Sequence, residues 1–153
     1  MTLYKYFVIV IMMHLIFFVV VKHGASLIVS PGKQTPVLGE VSIARYLARQ
    51  LTPRYDDDIV TATQIDTLLD HAAVLMHGNC DTSSTIKLLS QLLRKKKWFV
   101  GTDRDHTSLA DIVIWSAITQ RQLSAKVPDN MRQWVAQCDR LPDFANAKRL
   151  LLL

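Results

Sequence analysis

Between Asp103 and Asp111 the sequence DRDHTSLAD gathers three aspartates, a histidine, a threonine and a serine into nine residues. Such residues could form a serine nucleophile with its base, or a set of hard metal ligands. The spacing argues against both. A nucleophilic serine needs a base in reach and usually a glycine-flanked turn, and Ser108 has no glycine beside it. His106 lies two residues away, and side chains at i and i+2 do not face each other on a helix. Asp103, Asp105 and His106 could be ligands, but the mid-loop glycine and terminal glutamate of a calcium loop are absent. The two cysteines, Cys80 and Cys138, match no CxxC spacing and read as reduced thiols. No catalytic, cofactor-binding or metal-ligating residue is therefore expected.

A local structural role fits the pattern better. Ser108-x-x-Asp111 has the spacing of a capping box, with aspartate in place of the usual glutamate. Each such cap is worth about 1 kcal/mol. The helix it would open, Ser108–Gln120, is apolar on nearly every side, which predicts a buried helix at the centre of its domain. Asp103–His106 would then be a solvated loop.

The elements around this helix are also legible. The 153 residues are half apolar, with only five glycines and five prolines, which predicts one mostly α-helical domain with a substantial core. Lys22–Gly39 reads as one or two short strands with turns. Glu40–Leu51 carries Ile43, Leu47 and Leu51 at helical spacing, with Arg45 and Arg49 off that stripe. Asp56–His77 follows, with three aspartates at its positive end, a stripe of Ile59, Ala62, Leu69, Ala73 and Met76, and Gly78 as its stop. Asp81 or Thr82 would cap the next helix, whose stripe is Ile86, Leu89, Leu92 and Leu93 and whose end is the basic run Arg94–Lys97. Pro128 and Pro142 would open the last two helices from the first-turn position.

The net charge of +5 permits an anionic partner without requiring one. Arg94–Lys97 reads as a solvated helix end, so RNA contact is allowed but not indicated. Tyr6–Val21 is a sixteen-residue run whose one polar group is His14. It is short of the roughly twenty residues that span a bilayer. Lys5 before it and Gly24-Ala25-Ser26 after it suit a signal peptide, a buried strand is a second reading, and a mis-started or truncated coding sequence is a third. Three regions result: an apolar segment over 1–21, a remnant over 22–51 and a helical domain over 52–153. A cytoplasmic location, with the nucleus as a second one, is expected; a membrane or secretory role for residues 6–21 is the alternative.

WFVG…SLADIVIW resembles the sixth-helix signature of the glutathione S-transferase C-terminal domain, and EVSIARYLARQL resembles the last helix of that family's thioredoxin-like lobe. GEVSIARYL, LADIVIWSAI and VPDNMRQWVAQCDRLPDFANAKRLL resemble more closely the transferase-like scaffold proteins of the multi-aminoacyl-tRNA-synthetase complex. The resemblance runs from about Leu27 to the end. It implies a transferase C-terminal-like helical bundle with a remnant of the thioredoxin-like lobe.

The chain departs from the catalytic transferases where glutathione would bind. Gly39-Glu40 stands where they carry a Glu/Gln-Ser pair, and Thr35-Pro36 lies too close to Gly39 for the usual cis-proline hairpin. About forty residues precede the helix, so Tyr4 and Tyr6 take no catalytic role; a glutathione transferase-like enzyme stays only as an alternative. The resemblance implies a non-enzymatic docking subunit that contacts transferase-like domains such as that of glutamyl-prolyl-tRNA synthetase, and aspartyl-tRNA synthetase. Relative to the scaffold proteins, the peptide and heptads that engage lysyl-tRNA synthetase are lacking. In this fold the pairing surface uses the helices at Ser42–Leu51 and Asp56–His77, with Arg45, Tyr46, Arg49, Asp66 and Asp70 as candidate contacts. A second face would use Arg132 and Arg140 on the helix from Pro128.

Overall fold

A computed structural model describes residues 25–29, 33, 35–52, 55–78, 82–94, 96–100 and 107–151. Tyr6–Val21, Cys80, Asp81 and Asp103–His106, for which readings are given above, lie outside these residues. The described chain is a mostly helical bundle fronted by one small ribbon.

The ribbon pairs β1 (Ser26–Leu27) with β2 (Val37–Leu38) antiparallel, Ser26 opposite Leu38 and Leu27 opposite Val37. Gly39 turns the chain from β2 into α1 (Glu40–Leu51) at φ 83°, in the left-handed half of conformational space where glycine carries no Cβ penalty. Its amide donates to the Ala25 carbonyl at 2.8 Å, tying the helix start to the ribbon. Val41, Ile43, Ala44, Leu47 and Ala48 form the buried face of α1, and Leu51 packs at its edge. No peptide bond among the described residues is cis, Thr35–Pro36 included.

The second helix, α2, spans Ile59–His77. Only one of the three preceding aspartates caps it. Asp58 accepts from the amides of Val60 at 3.1 Å and Thr61 at 3.2 Å, so the helix opens three residues later than the aspartate run suggests. Its buried face is Ala62, Ile65, Leu68, Leu69, Ala72 and Leu75. Ile59 is 75% exposed, which corrects the expected stripe. The face is turned because α2 packs against α1 on one side and most extensively against the central helix, and those two neighbours together select the 65–68–72–75 register. Gly78 closes α2 in the left-handed conformation, φ 65°, with its amide on the Val74 carbonyl at 3.2 Å.

Helix α3 (Thr82–Leu93) buries Ile86, Leu89 and Leu93, while Leu92, expected inside, is 42% exposed. The helix ends before the basic run. Arg94 has φ 45°, so Arg94, Lys96 and Lys97 belong to the connection that follows rather than to the last helical turn. Helix α4 (Leu109–Gln120) buries ten of its twelve residues and is the axis of the bundle. A short 3-10 turn, Leu123–Ala125, leads to α5 (Asp129–Asp139) and α6 (Pro142–Leu151). Pro142 is the first residue of α6, but Pro128 is the capping residue of α5, at φ −60° and ψ 161°, rather than part of its first turn.

The three C-terminal helices converge on Trp115, which is fully buried. Its ring meets Phe144 of α6 edge-on at 5.0 Å, and its indole Nε1 donates to Asp139 Oδ1 of α5 at 2.9 Å. Lys148 of α6 donates to the other oxygen of the same carboxylate. One side chain of α4 thus fixes two helices, through shape and through a hydrogen bond that spares its N–H the cost of burial unpaired.

Candidate functional site

Two clusters of polar side chains stand out, and they differ in where they face. The first is the start of α4. Ser108 Oγ accepts from the Asp111 amide at 3.4 Å, and Asp111 Oδ2 accepts from the Ser108 amide at 2.9 Å, so both arms of a capping box are present. The serine hydroxyl lies 2.6 Å from the same carboxylate oxygen. Asp111 has a further bond that its spacing to Ser108 does not announce. Its Oδ1 accepts from the Phe99 amide at 3.0 Å and so pins the Trp98–Val100 segment over the helix start. The phenyl ring of Phe99 meets Trp134 of α5 edge-on at 5.0 Å. Burial pushes the Asp111 carboxyl above its ordinary value, against the pull of its bonds to Phe99 and Ser108. The carboxylate is fully buried. This cluster is sealed and structural in its geometry.

The Cys138 thiol is also buried, and desolvation, followed by the nearby Asp111 and Asp139 charges, raises its pKa. A thiol held protonated in this way is a poor nucleophile. Among the described residues no group of His, Cys, Asp and Glu could hold a metal ion, and no helix is long and apolar enough to cross a membrane.

The second cluster lies at the surface, between α1 and α2. Arg45 Nε donates to Asp66 Oδ1 at 2.8 Å, and its Nη2 donates to Asp70 Oδ1 at 3.0 Å and to the Asp66 carbonyl at 3.2 Å. Arg49 Nη2 reaches the other Asp66 oxygen at 3.0 Å, while its Nε reaches Asp56 at 3.1 Å. Tyr55 completes the ladder. Its hydroxyl donates to Asp66 Oδ1 at 3.4 Å and its ring lies 5.0 Å beneath the Arg49 guanidinium. Burial works against the charge on Arg45, but its bonds to Asp70 and Asp66 outweigh that and hold its pKa above the ordinary value. Arg49 is raised chiefly by its bond to Asp56. Burial, then the Asp66 charge, raises the Tyr55 hydroxyl.

Four of the candidate contacts, Arg45, Arg49, Asp66 and Asp70, are therefore bonded to one another. Tyr46 is half-buried against the core beside them. Arg132 lies apart, on α5, where it pairs with Asp129 at 3.0 Å, and Arg140 is exposed just past the end of that helix. Tyr55 and Asp56 are missing from the sequence-derived set. A signal for the ladder does exist in the sequence: Arg45/Arg49 and Asp66/Asp70 are like-charge pairs at i, i+4 on successive helices. Each pair is unfavourable on its own helix and favourable only if the two helices face each other.

Asp66 bridges both arginines with its side chain 30% exposed, so Asp66→Ala is expected to cost about 1.5 kcal/mol. Asp70→Ala, at a carboxylate 74% exposed, should cost well under 1 kcal/mol. Urea melts of the two variants check the order.

Beside the ladder, the outward face of α2 presents Ile59, Val60, Thr63, Gln64 and Thr67, all exposed and none charged. Thr63 and Thr67 donate their hydroxyls to the carbonyls of Ile59 at 2.7 Å and Thr63 at 2.9 Å. Each threonine hydroxyl is thus already bonded within the helix, which lowers the polarity of this face. A solvent-facing stripe on a helix normally carries charge. Here the charge sits to one side, locked in the ladder, next to an uncharged strip with Val60 67% exposed.

No family model matches the chain. It is 31% identical over 119 residues to the aminoacyl tRNA synthase complex-interacting multifunctional protein 2 of Homo sapiens, an alignment covering 76% of this chain and 36% of that protein. The protein of the same name from Bos taurus gives the same identity and coverage. A Drosophila melanogaster protein named as a probable member of the same kind is 31% identical over 110 residues, 65% of this chain and 31% of its own length. The chain thus spans about a third of the length of the curated relatives it matches.

Proposed function

Because the chain belongs with the aminoacyl tRNA synthase complex-interacting multifunctional protein 2 proteins over about three quarters of its length, we propose that it is a non-catalytic docking module of an aminoacyl-tRNA-synthetase complex. The observation that carries the reading is the outward face of α2: an uncharged strip of Ile59, Val60, Thr63, Gln64 and Thr67 flanked by a fixed ion-pair ladder. A helix of a partner laid along this strip would cover apolar surface without having to desolvate unpaired charge. Arg45, Arg49 and Asp66 act by holding α1 and α2 at one spacing, and Asp70 and Asp56 form the polar rim. Such an arrangement of apolar centre and polar rim is the common anatomy of protein interfaces.

In this reading α2–α6 form the transferase C-terminal-like unit, and residues 22–51 belong with a thioredoxin-like lobe. The partners are transferase-like domains of the synthetase complex, first that of glutamyl-prolyl-tRNA synthetase, and aspartyl-tRNA synthetase. The absence of a serine after Gly39, where a glutathione carboxylate would be held, supports a docking role over conjugation.

Affinity capture from cytosol with the tagged full chain, read by mass spectrometry, tests the proposal. Several synthetases should be recovered together. A folded bait that recovers none of them, or that conjugates glutathione to a standard electrophile, would overturn it.

A further inference from the structure

The connection after α3 carries three exposed cations, Arg94, Lys96 and Lys97, and the fold lays it along α5. Ser90 Oγ lies 2.8 Å from Asn130 Oδ1, and Asn130 Nδ2 donates to the Ser90 carbonyl at 2.9 Å. Further on, Gln137 Nε2 donates to the Lys97 carbonyl at 3.3 Å, and Phe99 stacks edge-on against Trp134. Ser90 and Lys97 therefore lie against positions two turns apart on α5, about 10 Å of helix. The exposed side of that helix bears Arg132 and Arg140, with Gln133 and Ala136 between them. The strip these groups form runs across the exposed side of α5, from the connection on the Asn130 and Gln137 flank, past Arg140, to Arg132 about half a turn round the helix. Among the described residues on this strip, the exposed acid is Asp129, paired with Arg132.

We propose that this strip binds the phosphate backbone of a nucleic-acid duplex. A protein partner fits it less well. Protein interfaces are anchored by desolvated aromatic or aliphatic side chains, whereas the aromatic residues here, Trp98, Phe99 and Trp134, are all buried beneath the strip, and the exposed Leu88 and Leu92 lie on the side of α3 opposite Ser90, away from α5. With no exposed ring among them, base stacking on single strands is not provided for either. What remains is lysine and arginine over a span of one or two phosphates' spacing on each strand, suited to contacts that carry no sequence information. Arg132 and Arg140 are thus assigned to this strip rather than to a second protein-docking face. The proposal does not depend on the α2 docking surface, which lies on other helices.

Fluorescence anisotropy of the full chain against a labelled 20-base-pair RNA duplex, titrated between 50 and 300 mM salt, is the test, with a DNA duplex of equal length run in parallel to tell A-form from B-form preference. Roughly four phosphate contacts should give a slope of log K against log salt of about −3 to −4. Lys96→Gln and Arg140→Gln, both at exposed positions, should each weaken binding several-fold at 100 mM salt and shallow the slope by about 1 without changing the melting temperature. Lys33→Gln, outside the strip, should leave binding unchanged. The proposal fails if neither duplex binds at 50 mM salt, or if Lys33→Gln weakens binding as much as the strip variants do. It also fails if poly-glutamate of matched charge displaces the duplex as readily as unlabelled duplex does, which would mark the strip as an acidic-protein site.

Discussion

Trp115→Ala is expected to remove about 4 kcal/mol of stability, a large part of what a domain of this size possesses. The side chain is fully buried on a helix that itself buries ten of its twelve residues, so the space it vacates cannot collapse without moving α4 itself. Truncation deletes the edge-on contact with Phe144 and also the N–H that Asp139 accepts. Asp139 keeps Lys148, so the carboxylate is not left wholly unpaired. Trp115→Phe separates the two effects. It retains an aromatic ring for Phe144, loses only the indole N–H and some volume, and should cost about 1–2 kcal/mol. Equilibrium urea unfolding of both variants checks the ordering; equal losses would mean that the hydrogen bond, and not the packing, holds α5 and α6 in place.

Asp111→Ala is the second large effect, expected at about 3 kcal/mol. Its two oxygens serve three groups: the amides of Phe99 and Ser108 and the Ser108 hydroxyl. Removing them leaves buried donors without acceptors, each costing about 1–3 kcal/mol. Ser108→Ala, which deletes only the hydroxyl arm, should cost about 1 kcal/mol. The double variant should lose less than the sum, because both residues act in one box. Strict additivity in a double-mutant cycle would contradict that coupling.

The sign of the pH dependence follows from the same carboxyl. Burial raises its folded pKa above the unfolded value, so the folded chain takes up the proton first. Its contribution to stability is then fully present below the unfolded pKa and declines as pH rises through the folded one. Asp111→Asn has no such proton, so its penalty relative to the parent should grow as pH is lowered towards the ordinary carboxyl range, measured by paired melts.

Helical periodicity carried the elements further than it carried their faces. Glu40–Leu51 shows one apolar stripe because polar and charged residues hold its other side, and Ile43 and Leu47 lie on it as the spacing implies. Helix α2 is different. It is apolar on several sides, so a single-stripe reading through Ile59 and Met76 had no means of choosing the side that meets α4. The exposed Ile59 and Val60 are the result of that choice and form part of the proposed docking strip. The proline at 128 gave the start of α5 to within a residue, since a fixed φ suits both the cap and the first turn, and only ψ tells them apart. The Asp111–Phe99 bond and the meeting of Lys97 with Gln137 are contacts between segments twelve and forty residues apart. Local spacing holds no record of such contacts. The ladder is intermediate: its like-charge i, i+4 pairs are visible in sequence, but Tyr55 and Asp56 enter it only through the turn between α1 and α2.

The docking role rests most directly on whether a partner covers α2. Calorimetric titration of the full chain with purified glutamyl-prolyl-tRNA synthetase, repeated with the doubly substituted Thr63→Arg/Thr67→Arg chain, measures this. Both threonines are exposed on the strip and neither supports the core, so the variant should melt like the parent. Binding by the parent and at least a tenfold loss in the variant, about 1.4 kcal/mol, is the predicted result. A folded parent that does not bind, or a variant that binds as tightly as the parent, would contradict it.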